Sequence, residues 1–406
     1  MADDFILGLT YWPRRQGLAW WRALDAGEVK EDFVHIRSMG LTLLRFHLLW
    51  EDFQPETDRL NHRVLDRLGV VLDAVEDASL RALPVLFTGY AVGALRYPAW
   101  ALEEGEPPPA SPRLLVNGKE ARGYRVKDFY EHKGMIEAQQ RFLREVVGYY
   151  ASHPAIWGWD FGDEPERARV ARSAGAAQEW LGTLTTLARE LDSDARLTLG
   201  LGQDSLAGPS ALRLDHLAEF CDPLAVHAYP AWSAVVADPL DADFALYILA
   251  LARALSGKVP LLGSFGISTV PTPGDPGDLL QAPVTDMPYY LASEAEQAEY
   301  MEKVLEETWQ AGAAGAWFMA YADAPEGRWE EPPLDGAPWE RTAGLLRRDG
   351  TEKPASDFLR RFAARLREGK PPRSSGRILK VEPDEYYRDP AYHFARLYKV
   401  YQEGGH

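Results

Sequence analysis

Short apolar runs alternate with amphipathic helical stretches along almost the whole chain, and this order predicts βα units with a parallel sheet. Eight runs in this order favour one closed (β/α)8 TIM barrel over a doubly wound sheet, which normally has fewer strands and a phosphate-binding turn. The predicted strands are Phe5–Tyr11, Leu41–Phe46, Ala82–Phe87, Ile156–Phe161, Leu197–Leu201, Leu224–His227, Pro260–Phe265 and Gly315–Met319. With 406 residues, 46% of them hydrophobic, the chain is long enough for such a barrel and an appendage.

The composition changes after the predicted last helix of the barrel. Residues 1–367 are expected to form the barrel, and residues 368–406 a linker and a C-terminal extension. Residues 370–376, Lys-Pro-Pro-Arg-Ser-Ser-Gly, have the composition of a linker. The following residues are rich in Tyr and charge, and we expect a tail that packs on the barrel or contacts a second subunit.

One internal segment lacks a clear period. Residues 96–131 are rich in Pro and charge, and they follow the third predicted strand. Long ordered loops in compact domains are often lids or binding loops. We therefore predict a long loop over the mouth of the barrel.

Charge and targeting features restrict the partners and the compartment. The formal net charge of -17 argues against nucleic acid and anionic membranes as partners. The single cysteine, Cys221, excludes an intrachain disulfide and is predicted to be a small buried residue. The acidic N-terminus lacks the basic-then-apolar pattern of a signal peptide, and no apolar run is long enough to span a membrane. These features predict a soluble cytoplasmic protein, or else a mature chain from which a signal peptide has been removed.

The stretch Trp157-Gly-Trp-Asp-Phe-Gly-Asp-Glu-Pro165 reads as a buried strand that ends abruptly in two carboxylates, Asp163 and Glu164. In a (β/α)8 barrel the active site lies at the C-terminal ends of the strands. A carboxyl that is walled by Trp and flanked by a like charge is expected to have a raised pKa, as a general acid needs. Glu164 is therefore the leading catalytic candidate, against the alternative of an ordinary acidic surface loop.

Ile156-Trp-Gly-Trp-Asp-Phe-Gly-Asp-Glu-Pro165 resembles the Asn-Glu-Pro strand of clan A retaining glycoside hydrolases, most of all family 5. Leu44-Arg-Phe-His-Leu-Leu-Trp50, His227-Ala-Tyr229 and the passage from Gly344 to Pro354 resemble further motifs of that family. The segments Gly8–Pro13 and Tyr97–Trp100 are similar to family 42. The resemblance implies a (β/α)8 barrel that processes β-linked oligosaccharides or glycosides.

The resemblance also implies roles for single residues. Glu164 is the expected acid/base, and Arg45 is expected to orient the nucleophile. His227 and Tyr229 are expected to line the site, and Trp317 to lie under the reacting sugar. Three of these residues also fit a purely structural role. Arg45 suits a salt bridge at the edge of the core, and His227 and Trp317 suit ordinary positions in the core.

Two positions depart from the family pattern. Asp163 stands where the family has Asn, and an ionised Asp only accepts hydrogen bonds, so its contact to the sugar 2-hydroxyl would reverse direction. In the strand Pro260-Leu-Leu-Gly-Ser-Phe-Gly266, Ser264 stands at the nucleophile position. The two-carboxylate mechanism needs a carboxylate there, roughly 5–5.5 Å from the acid/base. Hydrolysis is therefore expected to be impaired.

Three explanations of Ser264 remain open. The first is that Ser264 is an engineered replacement, as in a trapped mutant or a glycosynthase. The second is that the serine is natural, in a non-catalytic sugar-binding pseudoenzyme. The third is that another acid, such as Asp204 or Asp323, serves as the nucleophile. We favour the first, because everything around Ser264 reads as an intact site. No cluster has metal-ligand spacing and no glycine-rich phosphate loop is present, so neither metal nor cofactor is expected.

Overall fold

Eight parallel strands close into a barrel in a computed structural model, which describes residues 5–87, 89–108, 111–281, 288–369 and 377–404. Neighbouring strands of the ring are consecutive in the chain, and the first strand pairs with both the second and the eighth, which closes the barrel. The predicted TIM barrel is confirmed, and every predicted strand end lies within two residues of the observed one. The strands are β1 (Ile6–Thr10), β2 (Leu43–His47), β3 (Arg81–Val85), β4 (Gly158–Asp163), β5 (Arg196–Leu201), β6 (Ala225–Ala228), β7 (Leu261–Phe265) and β8 (Gly315–Phe318).

Long helices surround the barrel, namely α1 (Ala26–Ser38), α2 (His62–Asp77), α3 (Lys133–Tyr150), α4 (Ala174–Leu191), α5 (Ala242–Ser256), α6 (Glu294–Gln310), α7 (Ala355–Glu368) and α8 (Pro390–Gln402). Shorter helices are Gly17–Arg22, Trp50–Phe53, Ala99–Ala101, Pro165–Arg167, Gln203–Ala207, Leu214–Leu217, Pro230–Trp232, Glu326–Arg328, Pro338–Glu340 and Pro383–Tyr386. Short strands outside the barrel are Tyr90–Ala91, Ala94–Arg96, Leu102–Glu104, Arg113–Val116, Lys119–Glu120, Tyr124–Val126, Asp278–Gln281 and Pro288–Leu291.

Local sequence signals account for the helices. The apolar residues of α2 recur at helical spacing, and that face is buried against the barrel. Helix α6 begins with a capping box, in which the Ser293 hydroxyl accepts from the Glu296 N–H and the Glu296 carboxylate accepts from the Ser293 N–H. Cys221 is fully buried, as predicted.

The segment 96–131 contains more structure than its sequence suggests. Residues 90–120 contribute four short strands to one small sheet, and Leu102–Glu104 pairs with Tyr124–Val126. Strands of two to four residues are too short for a detectable alternation of polar and apolar residues. Residues 109 and 110 of this segment lie outside the described residues.

The C-terminal extension packs on the barrel where the connection between β5 and β6 has no long helix. Between β5 and β6 the chain forms only the short helices Gln203–Ala207 and Leu214–Leu217, and α8 packs against the first of them and against α5. The Tyr386 hydroxyl donates to the Leu206 carbonyl at 2.7 Å. The Tyr247 hydroxyl, on α5, donates to the Phe394 carbonyl at 2.7 Å. The predicted linker, residues 370–376, lies outside the described residues.

Within the described part of the chain, none of the helices combines the length and the apolarity that a bilayer-spanning helix needs.

We expect Phe394→Ala to lower the free energy of unfolding by about 3–5 kcal/mol, as for other buried Phe side chains that leave a cavity. The Phe394 ring is 1% exposed and packs edge-on against Phe244 and Tyr247. Urea unfolding followed by tryptophan fluorescence measures the change, and Tyr392→Ala on the same helix, where the side chain is 59% exposed, is the control. Equal stability of the two variants would mean that the extension adds nothing to the barrel.

Candidate active site

A cleft opens at the C-terminal ends of the barrel strands, and its enclosed volume is about 90 Å³. Pockets that bury a drug-sized ligand usually have roughly 300–1,000 Å³, so this cleft is narrow as it stands. Six of the residues singled out in the sequence line it, namely Arg45, Asp163, Glu164, His227, Tyr229 and Ser264. Glu164 follows β4 and Ser264 is on β7, so the two candidate catalytic positions lie in one cleft.

Arg45, on β2, is a buried cation at the floor of the cleft. Its Nε donates to Asp160 Oδ2 at 2.9 Å, and its Nη1 donates to Asp163 Oδ2 at 3.0 Å. Asp160 Oδ1 also accepts from the Gly162 N–H. The Arg45 guanidinium is 1% exposed and its Nη2 lacks a partner among the described residues. The resemblance assigned Arg45 to the nucleophile, but the structure pairs it with the aspartates of β4.

Asp163 is held as an anion. Burial raises the pKa of its carboxyl, but Arg45, His227 and His47 together outweigh burial, and the net pKa lies well below its ordinary value. Its Oδ2 is 3.1 Å from His47 Nε2, whereas its Oδ1 has no hydrogen-bond partner among the described residues. Asp163 lines the cleft, and its Oδ1 is a buried acceptor that lies 3.5 Å from His227 Nε2.

Glu164 has a strained backbone and close neighbours. Its φ of 47° is in the left-handed region that non-glycine residues rarely adopt. A Cβ at position 202 would lie 2.6 Å from Glu164 Cδ, so only glycine leaves room for this carboxyl. Val92, with a φ of 48°, also lines the cleft. Such strain concentrates at functional sites.

Both oxygens of the Glu164 carboxyl have partners. Oε1 is 2.8 Å from His227 Nδ1, and Oε2 accepts a hydrogen bond from Arg167 Nε. Arg167 also donates from Nη2 to Asp204 at 3.0 Å, and its guanidinium lies 4.7 Å above the Tyr90 ring. Arg167 therefore occupies the space beside the candidate acid.

The expectation of a raised pKa for Glu164 is wrong. Burial does raise the pKa, but the Arg167 guanidinium and the hydrogen bond from His227 outweigh burial, and the net pKa is lowered. The sequence showed the like charge of the neighbouring Asp163, but it did not show that Arg167, three residues after Glu164, folds back onto this carboxyl. Glu164 is therefore ionised at neutral pH in this state.

Ser264 is hydrogen-bonded to Tyr229, because the Tyr229 hydroxyl donates to Ser264 Oγ at 2.5 Å. Burial raises the pKa of Tyr229 well above its ordinary value, so the phenol is neutral. Gln203 fixes Tyr229 with two hydrogen bonds, since its Oε1 accepts from the Tyr229 N–H at 2.7 Å and its Nε2 donates to the Tyr229 carbonyl at 3.0 Å. Tyr229 is thus a rigid donor toward position 264.

Trp317 does not line the cleft, contrary to the expectation that it lies under the sugar. It is 1% exposed and packs inside the barrel with Leu43 and Leu261. The Arg45 guanidinium lies 5.6 Å above its ring, between the indole and the cleft. Met319, two residues later, lines the cleft instead.

The segment 96–131, predicted to border the site, contributes no described residue to the lining of the cleft. The residues just before this segment, Tyr90, Ala91 and Val92, do line the cleft. The two alternative acids do not line the cleft either. Asp204 pairs with Arg167, and Asp323 pairs with Lys353 at 2.8 Å.

Sequence reasoning missed several lining residues, among them His47, Arg167, Gln203 and Glu340. Arg167 stands three residues after Glu164, and this spacing was the one available signal. Glu340 comes from the long connection after β8, where no pattern distinguishes it.

Three potential metal ligands meet in the cleft, although no metal-ligand spacing is visible in the sequence. Ligand atoms of Asp163, Glu164 and His227 lie within 4.8 Å of one another. The two nitrogens of His227 face different carboxylates, since Nδ1 is 2.8 Å from Glu164 and Nε2 is 3.5 Å from Asp163. His227 is therefore hydrogen-bonded to Glu164 and lies close to Asp163 without a hydrogen bond to it.

No protein-family model and no curated protein sequence matches the chain. Solved structures do match. A GH5_18 protein of Streptomyces cattleya in complex with GlcNAc is 16% identical, with a TM-score of 0.79 over 100% of this chain and 92% of that one. The exo-beta-1,4-mannosidase Op5Man5 of Opitutaceae bacterium strain TAV5 is 22% identical, with a TM-score of 0.72 over 90% of this chain and 60% of that one.

The chain therefore has a GH5-like (β/α)8 fold. A Glu-to-Ala variant of the Streptomyces cattleya protein, solved in complex with Manb1-4GlcNAc, matches with the same TM-score of 0.79 at 16% identity, over 99% of this chain and 92% of that one. At these identities the likeness concerns the fold. The family 42 features remain a prediction from the sequence.

We predict that Arg167→Gln raises the pKa of Glu164, because it removes the cation that holds this carboxyl ionised. Carbon-13 NMR titration of the Glu carboxyls measures the change, and the Glu164 signal is assigned by its loss in Glu164→Gln. Arg172→Gln is the control, since the Arg172 side chain is 76% exposed and pairs with Glu131 outside the cleft. A Glu164 titration that is unchanged in Arg167→Gln would contradict the assigned cause.

Proposed function

We propose that the cleft is the active site of a retaining β-glycoside hydrolase that acts on β-linked oligosaccharides or glycosides, with Ser264 at the nucleophile position. The observation that carries the proposal is that Glu164, directly after β4, and Ser264, on β7, line one strand-end cleft. The family 5-like fold supports it. The names of the similar structures make β-mannosides and Manb1-4GlcNAc the first ligands to test.

Each group in the cleft has a proposed role. Glu164 is the acid/base that protonates the glycosidic oxygen. Asp163, with its free Oδ1, accepts a hydrogen bond from a sugar hydroxyl, in the reversed direction expected for Asp in place of Asn. Tyr229 and the unpartnered Nη2 of Arg45 are donors suited to a carboxylate in the cleft, which Ser264 does not supply.

Glu164 needs a change of partner before it acts as an acid. In the present arrangement Arg167 holds Oε2, and the lowered pKa keeps the carboxyl ionised. A sugar in the narrow cleft has to displace the Arg167 side chain from Glu164. Once the cation leaves, burial raises the pKa of Glu164 and favours the protonated form.

A non-catalytic sugar-binding protein is the second candidate function. Ser264 favours it, because a serine without an activating base is a poor nucleophile. The same cleft residues would then bind the sugar without cleaving it. Either function is compatible with a replaced or a natural serine, and activity after restoring the carboxylate separates them.

We expect Ser264→Glu to switch on hydrolysis of an aryl β-glycoside with retention of configuration, because it supplies the missing carboxylate. The present chain should be slower by several orders of magnitude, as is usual when one member of a concerted catalytic set is missing. Release of para-nitrophenol from β-mannoside, β-glucoside and β-galactoside measures the rate, and proton NMR of the first product gives the anomer.

Ser264→Gln is the matched control, since it has the shape of Glu without its charge and should stay inactive. The double variant Ser264→Glu with Glu164→Gln should lose most of the gained activity. Azide is expected to rescue the serine form in part. Full activity of the serine form, with no gain from Ser264→Glu, would place the nucleophile elsewhere and would sink the proposed role of position 264.

A further inference from the structure

A third carboxyl lines the cleft. Glu340 ends the short helix Pro338–Glu340 in the connection after β8, and it lines the same cleft as Glu164 and Ser264. The neighbouring Trp339 is buried and packs against Trp232, with ring centroids 4.8 Å apart. The turn that carries Glu340 is therefore anchored, and the carboxyl has a fixed place in the cleft.

Glu340 is hydrogen-bonded but not paired with a cation. The Tyr90 hydroxyl donates to Glu340 Oε1 at 3.2 Å, and no ion pair to Glu340 is found among the described residues. The nearest cation that acts on it, Arg167, is already engaged by Glu164 and Asp204. Glu340 is half-buried, and its carboxylate is held by neutral donors, the Tyr90 hydroxyl and the Gly93 N–H. A carboxylate in such a place is stabilised further when a ligand donates a hydrogen bond to it.

The charge of the cleft also restricts its ligands. Three carboxyls, of Asp163, Glu164 and Glu340, line it, together with two guanidinium groups, of Arg45 and Arg167. Each guanidinium is already hydrogen-bonded to carboxylates. A sugar that carries a carboxylate or a phosphate would add a further negative charge, whereas a neutral sugar brings the hydroxyl donors that a carboxylate lacks.

We propose that Glu340 is a substrate-binding residue, whose carboxylate accepts a hydrogen bond from a hydroxyl of a neutral glycoside and disfavours glycosides that carry an anionic group. The proposal rests on the proposed function of the cleft and names the substrate class of that site. Tyr90 positions the carboxylate through its hydroxyl, and Arg167 lies over the Tyr90 ring on the side of Glu164.

The protonation of Glu340 gives the proposal a pH signature. The pKa of Glu340 is raised to about 7 overall, because burial and the Glu164 carboxylate raise it by more than the Tyr90 hydrogen bond, Arg167 and the Gly93 N–H lower it. A sugar hydroxyl that donates to the carboxylate favours the ionised form, so this pKa falls when the sugar binds. Binding of a neutral sugar should therefore tighten as the pH rises through about 7.

The test is calorimetric binding to the full chain with Ser264 retained, so that the ligands persist. The probes are para-nitrophenyl β-mannoside, β-glucoside and β-galactoside and the anionic para-nitrophenyl β-glucuronide. Glu340→Gln should weaken the tightest neutral ligand by about tenfold or more, because hydrogen bonds to charged groups contribute more than neutral ones. It should also reduce the ratio of the affinity for β-glucoside to the affinity for β-glucuronide, and it should weaken the pH dependence of the affinity.

Glu330→Gln is the matched control, since Glu330 is an exposed acid of the same connection that does not line the cleft. It should leave all affinities unchanged. Tyr90→Phe removes the hydroxyl that holds Glu340 while keeping the ring, and it should reproduce part of the loss even if Glu340→Gln folds poorly.

Each result decides a different claim. If the unaltered chain binds a neutral glycoside and Glu340→Gln binds it equally well with the same pH dependence, the role of Glu340 is overturned and the sugar-binding cleft stands. If none of the three neutral glycosides binds to the unaltered chain, to Ser264→Glu or to Arg167→Gln, the proposed function fails and the role of Glu340 falls with it.

Discussion

The guanidinium of Arg45 is a positive charge buried at the centre of the barrel, and the cleft is built outward from it. It lies above Trp317 and holds two aspartates of β4, Asp160 and Asp163. Because removing one partner of a buried ion pair costs about 3–5 kcal/mol, neither the cation nor its carboxylates can be exchanged singly without a penalty. This cluster fixes the end of β4 and thereby the direction in which the chain presents Glu164.

The Glu164 carboxyl, whose direction depends on the Arg45 cluster, is held by a second ion pair, with Arg167. Glu164 is hydrogen-bonded to His227 and to Arg167, so it is an anion with a partner for each of its oxygens. The acid role proposed for it belongs to a different arrangement, in which a sugar takes the place of Arg167. Arg167 lines the cleft and is also the largest cause of the lowered pKa of Glu164, ahead of His227.

The sequence predicts the barrel well, because eight buried strands and their helices leave a periodic signal that does not depend on tertiary contacts. It also predicts which strand ends meet, since Glu164 and Ser264 follow runs of the same kind. The direction of the Glu164 pKa shift could not be predicted, as it depends on where Arg167 folds back. The place of Glu340 in the cleft could not be predicted either, because it depends on how the loop packs, and loop packing leaves no periodic pattern in the sequence.

The helix Gln203–Ala207 joins two features that are far apart in the chain. Its first residue clamps Tyr229, and its Leu206 carbonyl accepts from Tyr386 of the C-terminal extension. The tail therefore substitutes for the long helix that the barrel lacks after β5. In related chains we expect the length of the tail and the length of the β5–β6 connection to vary together, since a chain that shortens one has to extend the other to keep Tyr229 in place.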